Sequence, residues 1–301
     1  MALEGLSVPV ATLFSSGGAV DLGRNARFAR ELSEARVDHL FVLGSLGEFP
    51  SVTATERGPL VEVVVESAAG RTDVWAGCGA PSTAQATAFA EQAEGVGAAA
   101  LVAVPPYYLH PPLRAVADYY RAIRKAVTVP LLAYNIPSLV GYSLTPSLVH
   151  SLAREGVLAG VKDTSGSFES VLGFLTGAPP GFAVFPGDDA FASTAIARGA
   201  RGAVMGLANI VPKLCVELVA AARRGDMGRA GELQILVDRL GEVTRSGPFP
   251  SVDKFLAAQL RGAEVGYRDP YGPLTPEEEA TVLARLEPLR NDLAIFLDAA
   301  P

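Results

Sequence analysis

Along the chain, short apolar or β-branched runs alternate with amphipathic segments of helical period, and a Gly-, Pro- or Ser-containing turn follows most runs. Strands are predicted over Ser7–Phe14, His39–Leu43, Val74–Gly77 and Ala98–Val104. Four more fall at Pro130–Tyr134, Leu158–Lys162, Phe182–Phe185 and Ala203–Met205. The helices between them include Asn25–Arg36, Ala54–Ala69, Ser82–Glu94, Leu113–Ala126, Thr145–Glu155 and Phe168–Leu175. Thr53 with Glu56 three residues later is a capping-box pattern for the second of these. Eight strand-helix repeats in roughly 220 residues match a (β/α)8 barrel, which typically takes about 250. From Ile210 onward the pattern is helical, over Val211–Arg224, Met227–Thr244, Ser251–Leu260 and Thr275–Leu297. The expected fold is therefore α/β: a TIM barrel over residues 1–222, then a C-terminal helical extension over 223–301, with no linker between them.

Composition removes several function classes. Half the residues are hydrophobic, yet no apolar run approaches the roughly 20 residues needed to span a bilayer. Met1-Ala2-Leu3-Glu4-Gly5 lacks the basic start of a signal peptide. A net charge of -7 disfavours nucleic acid as a partner, since phosphate binding needs clustered Lys and Arg. Two cysteines, Cys78 and Cys215, make no disulfide framework and suit a reducing cytoplasm. His39, His110 and His150 are far apart without Cys or carboxylate partners at ligand spacing, so no metal site is expected, nor any cofactor.

Basic charge is carried mostly by arginine; the lysines are Lys125, Lys162, Lys213 and Lys254. Three of them sit among polar or helical neighbours, where a solvated ammonium is ordinary. Lys162 instead ends an apolar run, Val157-Leu158-Ala159-Gly160-Val161. Burying an ammonium is costly, so a lysine in such a place can act as a neutral amine nucleophile on a carbonyl. Taken alone, the stretch fits better with a strand-end lysine that snorkels to solvent or pairs with Asp163, the commoner arrangement.

In a barrel, the loops after the strands form the active face. Gly44-Ser45-Leu46-Gly47-Glu48 follows strand two, and its glycines let bare N–H groups approach an anion. Tyr107-Tyr108 follows strand four, Tyr134-Asn135-Ile136-Pro137-Ser138 ends strand five, and Asp188-Asp189 follows strand seven. Each has a bland alternative: an ordinary glycine turn, packing tyrosines, a helix cap. Together they place an amine, phenols, a hydroxyl, amides and carboxylates around one mouth without metal ligands. That set suits amine catalysis on a 2-oxo acid.

These strings, with Pro106-Tyr107-Tyr108, Gly160-Val161-Lys162-Asp163-Thr164 and Gly187-Asp188-Asp189, occur in an order that resembles the dihydrodipicolinate synthase / N-acetylneuraminate lyase family of class I Schiff-base pyruvate lyases. The resemblance spans nearly the whole chain. It implies a barrel with a C-terminal helical region, a homotetramer built from dimers, and a 2-oxo acid bound covalently through pyruvate or its pyruvate half. It also implies roles: Lys162 as the Schiff-base lysine, Tyr134 as general acid/base, and Ser45 as the hydroxyl relaying protons to Tyr134. Tyr108 would be lent to the neighbouring subunit's site. Leu46, Gly47, Leu139, Asp189 and Val204 fall at substrate-binding positions, the amides of Ser45 and Leu46 holding the carboxylate and Asp189 matching a sugar-hydroxyl contact.

The departures bear on substrate. Leu46 stands where many relatives carry a second hydroxyl residue, which leaves the carboxylate to backbone amides. Leu139 stands where lysine-pathway synthases usually carry an arginine that grips the second substrate's carboxylate. Losing such a charge-assisted contact costs about 1.5–3 kcal/mol. Phe41-Val42-Leu43-Gly44, Pro50-Ser51-Val52-Thr53 and Gly266-Tyr267-Arg268-Asp269-Pro270 look closer to the 2-keto-3-deoxy-sugar-acid aldolases and dehydratases. The expected activity is therefore cleavage or dehydration of a 2-keto-3-deoxy sugar acid. The alternatives are condensation of pyruvate with aspartate semialdehyde, or a non-catalytic barrel that binds a small carboxylate.

Overall fold

A computed structural model describes residues 3–297; Met1 and Ala2 of the N-terminal run, and 298–301, lie outside them. The chain alternates β1 (Gly5–Pro9), α1 (Leu22–Glu34), β2 (His39–Val42), α2 (Ala54–Ala68), β3 (Asp73–Gly77) and α3 (Thr83–Gly95). It continues with β4 (Ala100–Ala103), α4 (Leu113–Ala126), β5 (Leu131–Asn135), α5 (Pro137–Val140), α6 (Pro146–Arg154) and β6 (Gly160–Asp163). Next come α7 (Phe168–Leu175), β7 (Ala183–Pro186), α8 (Ala192–Ala197), β8 (Gly202–Val204) and α9 (Pro212–Arg223). After these lie α10 (Met227–Thr244), α11 (Ser251–Arg261), α12 (Pro276–Leu286) and α13 (Arg290–Ala294). No helix among the described residues is long and apolar enough to cross a membrane.

All eight strands run parallel in the order β7-β6-β5-β4-β3-β2-β1-β8. The Arg201 N–H donates to the Val184 carbonyl at 3.1 Å across the remaining seam, so the sheet is a nearly closed (β/α)8 barrel. β8 can approach β1 because it begins with a glycine: a Cβ on Gly202 would lie 1.8 Å from the Gly5 carbonyl oxygen. Trp75 on β3 meets Phe185 on β7 edge-on at 5.2 Å and stacks on His39, so large side chains fill the barrel.

Three departures from the sequence pattern have local causes. The first strand stops at Pro9 instead of reaching Phe14. Beyond it, the Ala11 and Leu13 N–H groups turn to the side-chain oxygens of Asn209 and Asn25. The first helix starts before Asn25 because Asp21 caps it, accepting from the Arg24 N–H at 2.9 Å. The last predicted helix breaks after Leu286 into a 3-10 turn and the short α13. Pro288 lies at that break and has no N–H to continue the ladder.

Candidate active site

β5 and β6 pair so that Tyr134 lies directly beside Lys162, and β6 and β7 pair so that Phe185 flanks the lysine on the other side. Lys162 is 4% exposed. Its Nζ lies 3.9 Å from the centroid of the Tyr134 ring and 5.1 Å from that of Phe41, both suited to cation–π contact. Asp163 does not neutralise it. That carboxylate accepts from Asn135 Nδ2 at 2.7 Å and from Ser165 Oγ at 3.1 Å. The snorkelling and Asp163-paired arrangements are thus both absent.

The Tyr134 hydroxyl lies 3.3 Å from Ser45 Oγ across the mouth. Burial alone would push the phenol up. The Lys162 charge, and polar contacts with Lys162, Ser45 and Thr164, outweigh burial and leave it below its ordinary value. A phenol held so by an amine and a hydroxyl is suited to passing a proton back and forth.

The loop carrying Ser45 is held in shape from several sides. Leu43 (φ 61°) and Glu48 (φ 52°) bracket it in left-handed conformations, which cost about 1–3 kcal/mol each for residues with a Cβ. Thr12 Oγ1 donates to the Gly47 carbonyl at 2.6 Å. A Cβ on Gly47 would lie 2.9 Å from the Val10 carbonyl oxygen, so only glycine fits comfortably there. The Ser45 and Leu46 N–H groups find no acceptor among the described residues, and Leu46 turns its side chain into the core.

A lysine outside the sequence-derived set anchors this loop. Lys254 of α11 is 1% exposed, contrary to the expectation of a solvated ammonium. Its Nζ donates to Glu48 Oε1 at 2.5 Å and to the Gly266 carbonyl at 2.9 Å. Helical surroundings concealed this, because Lys254 finds its partner 206 residues away. Burial pushes the Glu48 carboxyl up and the Lys254 amine down, each opposed by the other's charge. Nearby, Arg268 holds Glu56, whose carboxyl falls to about 2 through that hydrogen bond despite some burial.

Gly187 was legible only as a turn residue. A Cβ there would lie 2.1 Å from Thr164 Oγ1 and 2.8 Å from Lys162 Cε, so its bareness makes room for the lysine.

A cavity of about 370 Å³ opens beside Ser45. Phe49 and Val104 line both this cavity and a small void against Tyr134. Leu139, at the rim, is presented by α5, a helical turn where the sequence pattern shows only a loop. Val204 is buried in β8. Asp189 and Tyr108 do not line the cavity. Asp189 Oδ2 accepts from the Leu207 N–H at 3.4 Å while Oδ1 is buried without a partner. Burial first, then the Asp188 and Asp253 charges, raise Asp189 to about 7 against the Leu207 and Gly206 amides. Tyr108 is 89% exposed, at φ 74°. Among the described residues there is no cluster of His, Cys, Asp and Glu able to hold a metal ion.

Residues 2–289 match the model of the dihydrodipicolinate synthetase family. A DapA-like lyase of Halobacterium salinarum is 36% identical over 290 residues, covering 96% of this chain and 95% of the relative. The 4-hydroxy-tetrahydrodipicolinate synthase of Thiobacillus denitrificans is 34% identical over 285 residues, covering 94% and 96%. Among solved structures, YagE from E. coli K12 in complex with pyruvate superposes with a TM-score of 0.91 at 29% identity, covering 96% and 99%. The sialic acid aldolase of Ruminococcus gnavus, a catalytic lysine mutant, gives 0.91 at 26% identity, covering 98% of each chain. With one barrel, one lysine mouth and relatives matched over almost their full length, the chain belongs to the dihydrodipicolinate synthetase family of class I pyruvate lyases.

Proposed function

We propose that the protein cleaves a 4-hydroxy-2-oxo acid into pyruvate and an aldehyde through a Schiff base on Lys162. The loop strings lean toward one class of such acids, the 2-keto-3-deoxy sugar acids. The observation that carries this is the buried Lys162 beside Tyr134, with Tyr134 in turn 3.3 Å from Ser45. The Lys162 amine adds to the C2 ketone, and loss of water gives an iminium that serves as an electron sink. Tyr134, as phenolate, takes the proton of the C4 hydroxyl. The C3–C4 bond breaks, its electron pair enters the iminium as an enamine of pyruvate, and the aldehyde leaves. Protonation at C3 and hydrolysis then release pyruvate and restore the amine. Dehydration would use the same iminium, removing a C3 proton and expelling a hydroxyl. The free Ser45 and Leu46 amides would hold the pyruvate carboxylate, with Gly47 shaping that turn. Tyr108, exposed in the single chain, would complete the site of a partner in a cytoplasmic homotetramer.

A second reading has direct support from the relatives named 4-hydroxy-tetrahydrodipicolinate synthase. Leu139 at the cavity rim weighs against it, because no arginine there can grip the carboxylate of aspartate semialdehyde.

Borohydride treatment in the presence of pyruvate, followed by intact-protein mass spectrometry, should reveal one reduced pyruvate adduct per chain. The adduct should vanish in Lys162→Ala. An adduct equally present in that variant would place the imine elsewhere.

A further inference from the structure

The cavity beside Ser45 is not lined by Lys162 or Tyr134 but shares Phe49 and Val104 with the void against Tyr134. With the imine on Lys162, it is therefore the space open to whatever is attached at C4 of the substrate. Glu48 is its one charged lining residue. That carboxylate is 2% exposed, with Oε1 held by Lys254 and Oε2 buried. Its charge is matched by Lys254, so it offers no cation to an anion in the cavity. The other polar side chains are the hydroxyls of Ser45, Tyr107 and Tyr271. Ser45 already faces Tyr134, and the Tyr107 ring packs edge-on against Phe49. The rest is hydrocarbon, including Val104, Ile136, Leu139 and Phe249.

The exposed apolar residues around the mouth make the same point. Leu139, Phe249 and Tyr271 are 62%, 55% and 40% exposed, and all three converge on this one cavity. A patch of large exposed hydrophobic side chains at the entrance to a reactive centre marks a binding surface. A polyhydroxylated tail would leave most of its hydroxyls facing carbon, since such tails need several donors and acceptors placed around them. A tail with a second carboxylate would find no cation on these walls.

We infer that the aldehyde half of the substrate is uncharged and chiefly hydrocarbon: a branched aliphatic or aromatic aldehyde, with the hydroxyl at C4 as its main polar group. A volume of about 370 Å³ lies within the roughly 300–1,000 Å³ range of small-molecule pockets. It has room for a ring or a branched chain beyond C4. This inference rests on the Lys162 imine reading, keeps its 4-hydroxy-2-oxo acid, and replaces the sugar-acid tail toward which the loop strings lean with a hydrocarbon one.

The test runs in two stages on the full-length wild-type chain. First, the pyruvate and borohydride adduct is measured by mass. Then pyruvate release is followed from four racemic 4-hydroxy-2-oxo acids, whose C4 substituent is phenyl, isopropyl, a dihydroxyethyl group, or a chain ending in a carboxylate. The phenyl or isopropyl compound should show kcat/KM at least about 10-fold above the dihydroxyethyl compound and about 100-fold above the carboxylate, given the discrimination a hydrocarbon pocket achieves. Leu139→Arg should narrow or reverse the gap to the carboxylate compound. An adduct with fastest release from the dihydroxyethyl or carboxylate compound overturns the hydrocarbon tail while leaving the imine standing. No adduct at all overturns the imine reading, and the inference falls with it.

Discussion

Two lysines are buried in this protein, and their surroundings are opposite. Lys254 lies between a carboxylate, a carbonyl and two aromatic rings, with its charge matched at 2.5 Å. Lys162 lies between aromatic faces, and no carboxylate among the described residues pairs with it. The first arrangement leaves the amine nothing further to do. The second leaves Nζ able to meet an incoming carbonyl, with Tyr134 and Ser45 ready to move protons. Burial alone therefore does not distinguish a structural lysine from a nucleophilic one; the identity of the neighbours does.

Removing each amine should produce opposite profiles. Lys254→Met leaves Glu48 buried without its cation, and breaking such a pair costs about 3–5 kcal/mol of stability. Lys162→Met is close to volume-conserving and removes no pair, so it should change stability by less than about 1.5 kcal/mol while ending activity. Urea denaturation of both variants checks this, and equal losses would erase the distinction. The neighbour of the free lysine comes next. Tyr134→Phe should lower kcat by about 10²–10⁴-fold while the borohydride adduct still forms, separating proton transfer from imine formation. An unchanged kcat would transfer the proton to another group.

A buried carboxyl without a cation supplies the mirror case and a smaller effect. Burial raises Asp253 to about 7, against a hydrogen bond from its own backbone. A carboxyl raised on folding binds its proton more tightly in the native state. Its stabilising contribution is therefore complete below about pH 4 and is lost as pH climbs toward 7. Asp253→Asn should flatten that slope, lifting Tm by a few degrees at pH 8 relative to wild type and by less at pH 5. Thermal melts at the two pH values read this difference, and parallel curves would count against it.

How far the sequence could anticipate this depended on distance along the chain. The barrel was legible because each strand and helix carries its own period, and the capping box at Thr53 is complete within three residues. Lys162 and Tyr134 were legible as a pair only after the strands had been counted, since it is the β5–β6 register that sets them side by side. Glu48 and Lys254 were not legible as partners. Each looks ordinary locally, and only the closed fold brings them together. Gly187 was hidden in a subtler way: what it supplies is an absence, the space through which Lys162 runs.

The long span between Glu48 and Lys254 also imposes an order of events during synthesis. Lys162 and Tyr134 leave the ribosome well before α11 exists, at rates of about 5–20 residues per second. During that interval Glu48 has no cation, and Arg268 is not yet present to hold Glu56. Ala11 and Pro9 gain the Asn209 amide that bonds both partway through that interval. Residues far along the chain thus hold the mouth in shape, Lys254 on Glu48 and Arg268 on Glu56.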